Sequence, residues 1–302
     1  MANPNATPTP PPETSLPLPQ AHNLLTSFTT FLTVCIHNIL YYRSIYPQKT
    51  FLSAKAYNLP VHQNRHPRVC SWIRDAVDAV SAQLAGGNVD RIAVVIHSPP
   101  TRSAGSGSEA GAVLERWMFD VARFPSWPGG ADAMRDFGGS NGGRRGQAEE
   151  GEEPGALAGG SEPGEAGAGA VAGGAAGDVP GPVNWADVDQ QLRGAVRRLS
   201  SAAEKMEALP AGCTFTVAVE LKEEGQAPIG HPQAWIPSEP NLQTASTARP
   251  ENGRDIGGAR TTPIRSVEAG PLFFECWVEE GKAKAALRES QSQGAPTQSS
   301  AS

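Results

Sequence analysis

Apolar residues at Leu24, Phe28, Leu32, Cys35, Ile39 and Tyr42 recur three and four positions apart, the spacing that lines one face of a helix. This stretch predicts a core helix closed by Pro47, because the residue before a proline is pushed out of the helical region. The period then breaks in a polar, turn-rich segment through Tyr57-Asn58-Leu59-Pro60-Val61. A second stripe, Val69, Trp72, Ile73, Ala76, Val77, Val80 and Leu84, predicts an amphipathic helix stopped at Gly86-Gly87.

Strand patterns follow. RIAVVIH at 91–97 is a short β-branched run that reads as a buried strand. After a turn-rich stretch, residues 116–123 alternate, with Trp117, Phe119 and Val121 against Met118, Asp120 and Ala122, which predicts the second strand of a long-looped hairpin. Asn184 is placed to cap a helix with Trp185, Val188, Leu192, Val196 and Leu199 on one side, running to about 209 before Pro210. CTFTVAVEL at 213–221 alternates strictly, with Phe215, Val217, Val219 and Leu221 on one face. A last strand is predicted near 272–280, with Phe274, Cys276 and Val278 opposite Phe273, Glu275 and Trp277. The order α, α, β, β, α, β, β does not repeat βαβ units, so the expected class is α+β, three helices on one face of a mainly antiparallel sheet.

Composition sets the limits of that domain. Much of the chain's 33 Gly and 27 Pro lies in blocks that cannot build a core. A proline-rich head, 1–21, is expected to be extended. Residues 128–182, rich in Gly, Ala, Glu and Pro with almost no large apolar side chains, are expected to form a disordered insertion, and 286–302 a disordered tail. One domain over 22–285 remains. The N-terminus has neither the basic nor the apolar region of a signal peptide, and no stretch is expected to cross a membrane. The four cysteines, Cys35, Cys70, Cys213 and Cys276, are far apart among apolar neighbours and read as buried thiols of a reducing compartment. A net charge of −6 argues against strong direct nucleic-acid binding.

Catalytic chemistry is hard to find. The stretches 105–110 and 167–172 fit a relaxed dinucleotide-binding pattern, but neither follows a strand nor opens a helix. His62 and His66 lie four apart, yet Pro60 and Pro67 bracket them and break the helix that metal presentation would require. No serine stands in a nucleophile elbow. The acidic runs at 149–153 and 220–224 lack a frame that would hold two carboxylates in place. Catalytic residues, metal and cofactor are all read as none. Aromatic side chains remain, with Trp235 isolated in an otherwise polar stretch.

The motifs Phe31-Leu32-Thr33-Val34-Cys35-Ile36-His37-Asn38-Ile39-Leu40-Tyr41, Tyr46-Pro47, Tyr57-Asn58-Leu59-Pro60-Val61, His66-Pro67, Pro210 to Val217, Trp235-Ile236 and Trp277-Val278-Glu279-Glu280 occur in an order that resembles the HORMA domain. Within that family the chain is similar to the accessory subunits of translesion DNA polymerase zeta. The resemblance implies a non-catalytic nuclear adaptor of DNA damage tolerance. Its C-terminal safety belt, here 222–285, would wrap a proline-containing peptide of the polymerase's catalytic subunit. It implies peptide-site roles for Tyr46, Trp72 and Trp235, contact with the scaffold translesion polymerase through Glu275 and Trp277, and pairing of HORMA protomers through Arg193. A spindle-checkpoint or meiotic-axis HORMA adaptor is the alternative within the family.

Overall fold

A computed structural model describes residues 16–100, 110–142, 183–222, 250, 253 and 258–293. Its centre is helix α1, Leu18–Tyr42, which buries Leu24, Leu25, Phe28, Phe31, Leu32, Cys35, Ile36, Ile39 and Leu40. The stripe is wider than its period implied because the helix is packed on several sides. Each fully buried Leu, Ile or Phe contributes roughly 1.5–3 kcal/mol. By length and composition α1 could cross a membrane, contrary to the sequence expectation, but most of its apolar window is buried within the fold. The apolarity is that of a core helix.

α1 starts inside the segment read as an extended head and ends five residues before Pro47. Arg43 caps it and Ser44 takes a positive φ of 54°. Ile45 N donates to Leu40 O and Ser44 N to Tyr41 O, so a Schellman turn, and not the proline, stops the helix.

The polar segment after it is ordered. A 3₁₀ turn at Gln48–Thr50 leads into strands β1, Phe51–Ala56, and β2, Leu59–Asn64, paired antiparallel. Tyr57 and Asn58 join them at φ 50° and 55°, the positive values a type I′ turn requires. Asn38 ties this ribbon to the body, accepting from His62 N at 2.9 Å and donating to Ser200 at 3.2 Å. Helix α2, Pro67–Ala85, begins with a proline in its first turn, where the missing N–H costs nothing.

The main sheet is antiparallel throughout. In addition to β3, Val89–His97, and β4, Val113–Asp120, it contains β5, Thr214–Leu221, β6, Gly258–Ala269, and β7, Leu272–Gly281. The spatial order is β5-β3-β4-β7-β6. Helix α4, Trp185–Lys205, packs on α1 and β6, and Asn184 accepts from Asp187 N as the capping pattern predicted. α4 stops before residue 209, with Met206 already extended. The two faces are unequal. The helix side holds Trp117, Phe119, Phe274, Cys276 and Val278 in the main core, whereas Ala93, Val95, Val113 and Met118 form a small second cluster with Ala218 and Trp277 against it.

Three elements correct the sequence reading. Helix α3, Gly130–Gly142, occupies the start of the segment read as an insertion, anchored by buried Met134 and by Phe137 tilted against His22 at 5.3 Å. Strand β6 lies in the stretch read as polar, with Ile264, Val267 and Ala269 buried. It turns into β7 through Gly270 at φ 57°, the glycine-first geometry of a two-residue hairpin. Helix α5, Lys282–Gln293, runs into the predicted tail and buries Lys284 and Leu287.

Candidate functional site

Strand β5 is an edge strand. It hydrogen-bonds to β3 along one side, with Ile96 opposite Phe215, Val94 opposite Val217 and Ile92 opposite Val219. Among the described residues no strand pairs its other side. None of its residues is fully buried. The outer side of an edge strand is the template an extended chain adds to.

Aromatic side chains gather at the start of this edge. The Trp72 ring meets the Phe215 ring edge-on at 4.9 Å between centroids, and Tyr46 meets Phe215 the same way at 6.4 Å. All three are half-buried. Partial burial raises the Tyr46 phenol above its ordinary value, so it stays a neutral donor near neutral pH. The structure thus brings together two residues that the resemblance nominated, Tyr46 and Trp72, through Phe215, which it did not. Phe215 was legible only as one apolar position of an alternating strand, and nothing in that alternation separates an edge pocket from a core. Trp235 lies outside the described residues.

The segments carrying these rings are held by one buried guanidinium. Arg43 sits three residues before Tyr46. Its Nη1 donates to the carbonyls of Ala203 and Met206 at 3.0 and 3.1 Å, and its Nη2 to that of Glu207 at 2.5 Å. It thereby fixes the connection from α4 into β5. It also forks onto Glu115, Nε to Oε2 at 3.0 Å and Nη2 to Oε1 at 2.8 Å, with both side chains almost fully buried. Downstream, burial pushes the Cys213 thiol up to about 11, and that thiol contacts the Pro210 carbonyl at 3.2 Å. These groups are structural supports for the edge.

The other nominated residues lie elsewhere. Glu275 and Trp277 project from β7 on the face opposite the main core. Glu275 is exposed and accepts from Ser266 at 3.1 Å, and Trp277 donates to Glu279 at 2.8 Å. Arg193 is exposed on α4. His62 stacks on Tyr41 at 3.4 Å and His66 caps α2, so the two histidines hold separate structural positions. Among the described residues no group of three His, Cys, Asp or Glu side chains is placed to hold a metal ion. A cavity of about 340 Å³ between α1 and α2 is lined by Thr29, Thr33, His37, Gln63 and Arg74 among others, with no Tyr, Trp or Phe. For reading apolar peptide side chains, the aromatic edge is the better-equipped place.

The chain between β5 and β6 has to connect opposite edges of the sheet, since Leu221 ends one outer strand and Gly258 begins the other. Among the described residues, the outer side of β5 with the Tyr46, Trp72 and Phe215 rings at its start is the arrangement suited to an added extended chain. Residues 25–262 match the HORMA domain, and the chain belongs to that family of non-catalytic adaptors. It is 26% identical over 253 residues to the DNA polymerase zeta processivity subunit of Schizosaccharomyces pombe, covering 84% of this chain and 91% of that protein. It is 23% identical over 255 residues to the human mitotic spindle assembly checkpoint protein MAD2B, covering 83% and 87%. Among solved structures, a chain of the mitotic checkpoint complex superposes with a TM-score of 0.52 at 16% identity, covering 85% of this chain and 98% of that one. That likeness speaks to the fold alone.

Proposed function

We propose that the protein is the non-catalytic adaptor subunit of a translesion DNA polymerase zeta assembly in the nucleus. In this reading it seats a proline-containing segment of the catalytic subunit along the open side of β5. Main-chain hydrogen bonds to the edge supply much of the affinity, and the Tyr46, Trp72 and Phe215 rings receive apolar and proline side chains. Trp235 and the rest of 222–285 act as the belt that closes over the peptide. Glu275 and Trp277 serve as the contact for the scaffold polymerase, and Arg193 as the contact for a second HORMA protomer.

The observation that carries the reading is the meeting of Tyr46 and Trp72 at Phe215 on an edge strand. The similarity to a polymerase zeta processivity subunit, over 84% of this chain and 91% of that protein, supports this choice of assembly. A spindle-checkpoint role is the second reading, favoured by the name of the MAD2B relatives. Fluorescence anisotropy with a labelled proline-bearing peptide of the catalytic subunit tests the site. Wild type is expected to bind, and Trp72→Ala with Phe215→Ala to lose at least about tenfold in affinity, the range of buried aromatic anchors. Equal binding by both proteins would sink the assignment. Loss of mitotic arrest without mutagen sensitivity in cells lacking the protein would favour the checkpoint role.

A further inference from the structure

The carboxylate that Arg43 grips has a second cation on it. Glu115, on β4, also accepts from Lys284 Nζ at 2.6 Å and from the Trp117 indole at 3.3 Å. Lys284, on α5, makes a further ion pair with Glu280 at the end of β7, again at 2.6 Å. All four charged side chains are at least nine-tenths buried. The cluster lies where the end of the C-terminal segment meets the body, because Arg43 caps α1 and Glu115 is on β4 while Glu280 and Lys284 belong to β7 and α5.

The charges divide along that seam. The body contributes one guanidinium and one carboxylate already joined by a two-pronged contact, and the C-terminal segment contributes one ammonium and one carboxylate four residues apart. Glu280 also faces the exposed Arg260 guanidinium at 3.9 Å, so the C-terminal half carries one cation in excess. Separating buried charges is costly when it strands an ion without its partner, and here separation strands none. The ion pairs fix where the end of β7 and α5 dock, while Phe274, Cys276 and Val278 in the main core supply the hydrophobic hold on the same segment.

The backbone gives an independent sign that the seat is shaped for this segment. A Cβ at Gly281 would lie 2.3 Å from the Val113 carbonyl oxygen, so only a residue without a side chain lets the end of β7 lie against the start of β4. One residue beyond Glu280, the close approach brings Lys284 over Glu115.

We propose that Lys284 is the latch residue of the C-terminal segment: its ammonium fastens that segment to Glu115 on the body. Because Glu115 is also held by Arg43, which fixes the segments carrying Tyr46 and Phe215, docking of the C-terminus and the geometry of the peptide edge share one carboxylate. The proposal rests on the reading of this segment as one that closes and opens, and its test is separable from peptide binding.

The experiment is hydrogen–deuterium exchange of the full chain without peptide, comparing wild type, Lys284→Met and Gly281→Ala. Methionine keeps the volume and the buried stem, and leaves Glu115 paired with Arg43. Both variants are expected to raise exchange in β7 and α5 at least about tenfold, with α1 and β3 unchanged. β7 protection equal to wild type in either variant, or loss spread equally over α1 and β3, would overturn the latch. A parallel measurement follows dissociation of a captured peptide, expected to be about tenfold faster in Lys284→Met. If wild type captures no peptide, the functional reading fails while the exchange result still decides the latch.

Discussion

The two outer strands of the sheet are opposites. β6 is covered, with α4 packed against it, Ile264, Val267 and Ala269 buried, and Arg265 reaching Gln191 on the helix at 2.5 Å. β5 is paired on one side, half-buried along its length, and flanked by aromatic rings. Proteins usually blunt an exposed strand edge with charge, proline or a covering element. β6 has a covering helix, a register shift between Pro263 and Arg265, and the proline itself. Among the described residues, β5 has none of these over its apolar positions. The same sheet is covered by a helix at β6 and, among the described residues, left without a covering element at β5.

The largest effect should come from the residue that serves both sides. Arg43→Ala removes the fork on Glu115 and the donors to three carbonyls at the α4–β5 connection. Urea denaturation is expected to show a loss of about 3–5 kcal/mol, as for other broken buried ion pairs. A loss under about 1 kcal/mol would mean that Arg43 is not the common support.

The edges themselves can be compared by truncation. Ile264→Ala on β6 is expected to cost about 2–4 kcal/mol because its site is closed on all sides. Val219→Ala on β5 is expected to cost under about 1.5 kcal/mol because its side chain is only half-buried. Equal losses in the same denaturation series would erase the distinction drawn between the two edges.

A pH effect should fall on the β5 side. His37 Nδ1 accepts from Asn64 N, and burial lowers its pKa from 6.5 to about 4. The unfolded chain therefore takes up this proton before the folded one does. The contribution is complete above pH 6.5 and is lost as pH falls through about 4, amounting to about 1–3 kcal/mol. The strained element would be the β1–β2 ribbon, which links Tyr46 to Trp72. Stability measured from pH 7 to 4 should fall less steeply in His37→Gln than in wild type, and an unchanged slope would exclude His37 as the cause.

What could be read in the chain followed from where apolar side chains carry the structure. α1, α2, α4, β4, β5 and β7 each display a clear helical or alternating period, β3 a continuous β-branched run, and each is present. β1 and β2 do not, because their turn uses Tyr57-Asn58 in place of a glycine pair and Pro60 interrupts the strand pattern. α3 is held by two anchors, Met134 and Phe137, in a glycine-dominated stretch, and α5 by Leu287 and a lysine. A lysine buried by ion pairing looks solvated to any hydrophobic pattern. The candidate site was half legible, since motif order pointed to Tyr46 and Trp72, whereas Phe215 and Arg43 depend on contacts between segments far apart in the chain.

The Arg43–Glu115–Lys284–Glu280 cluster has a consequence for ionic strength. Arg91, with a side chain 38% exposed between Asp120 and Glu220, sits where dissolved ions can screen it. The four-charge cluster lies behind side chains that admit almost no solvent. Added salt will weaken the first and leave the second nearly untouched. The buried Arg43–Glu115–Lys284 contacts are therefore nearly indifferent to the salt around them and sensitive to water entering between them.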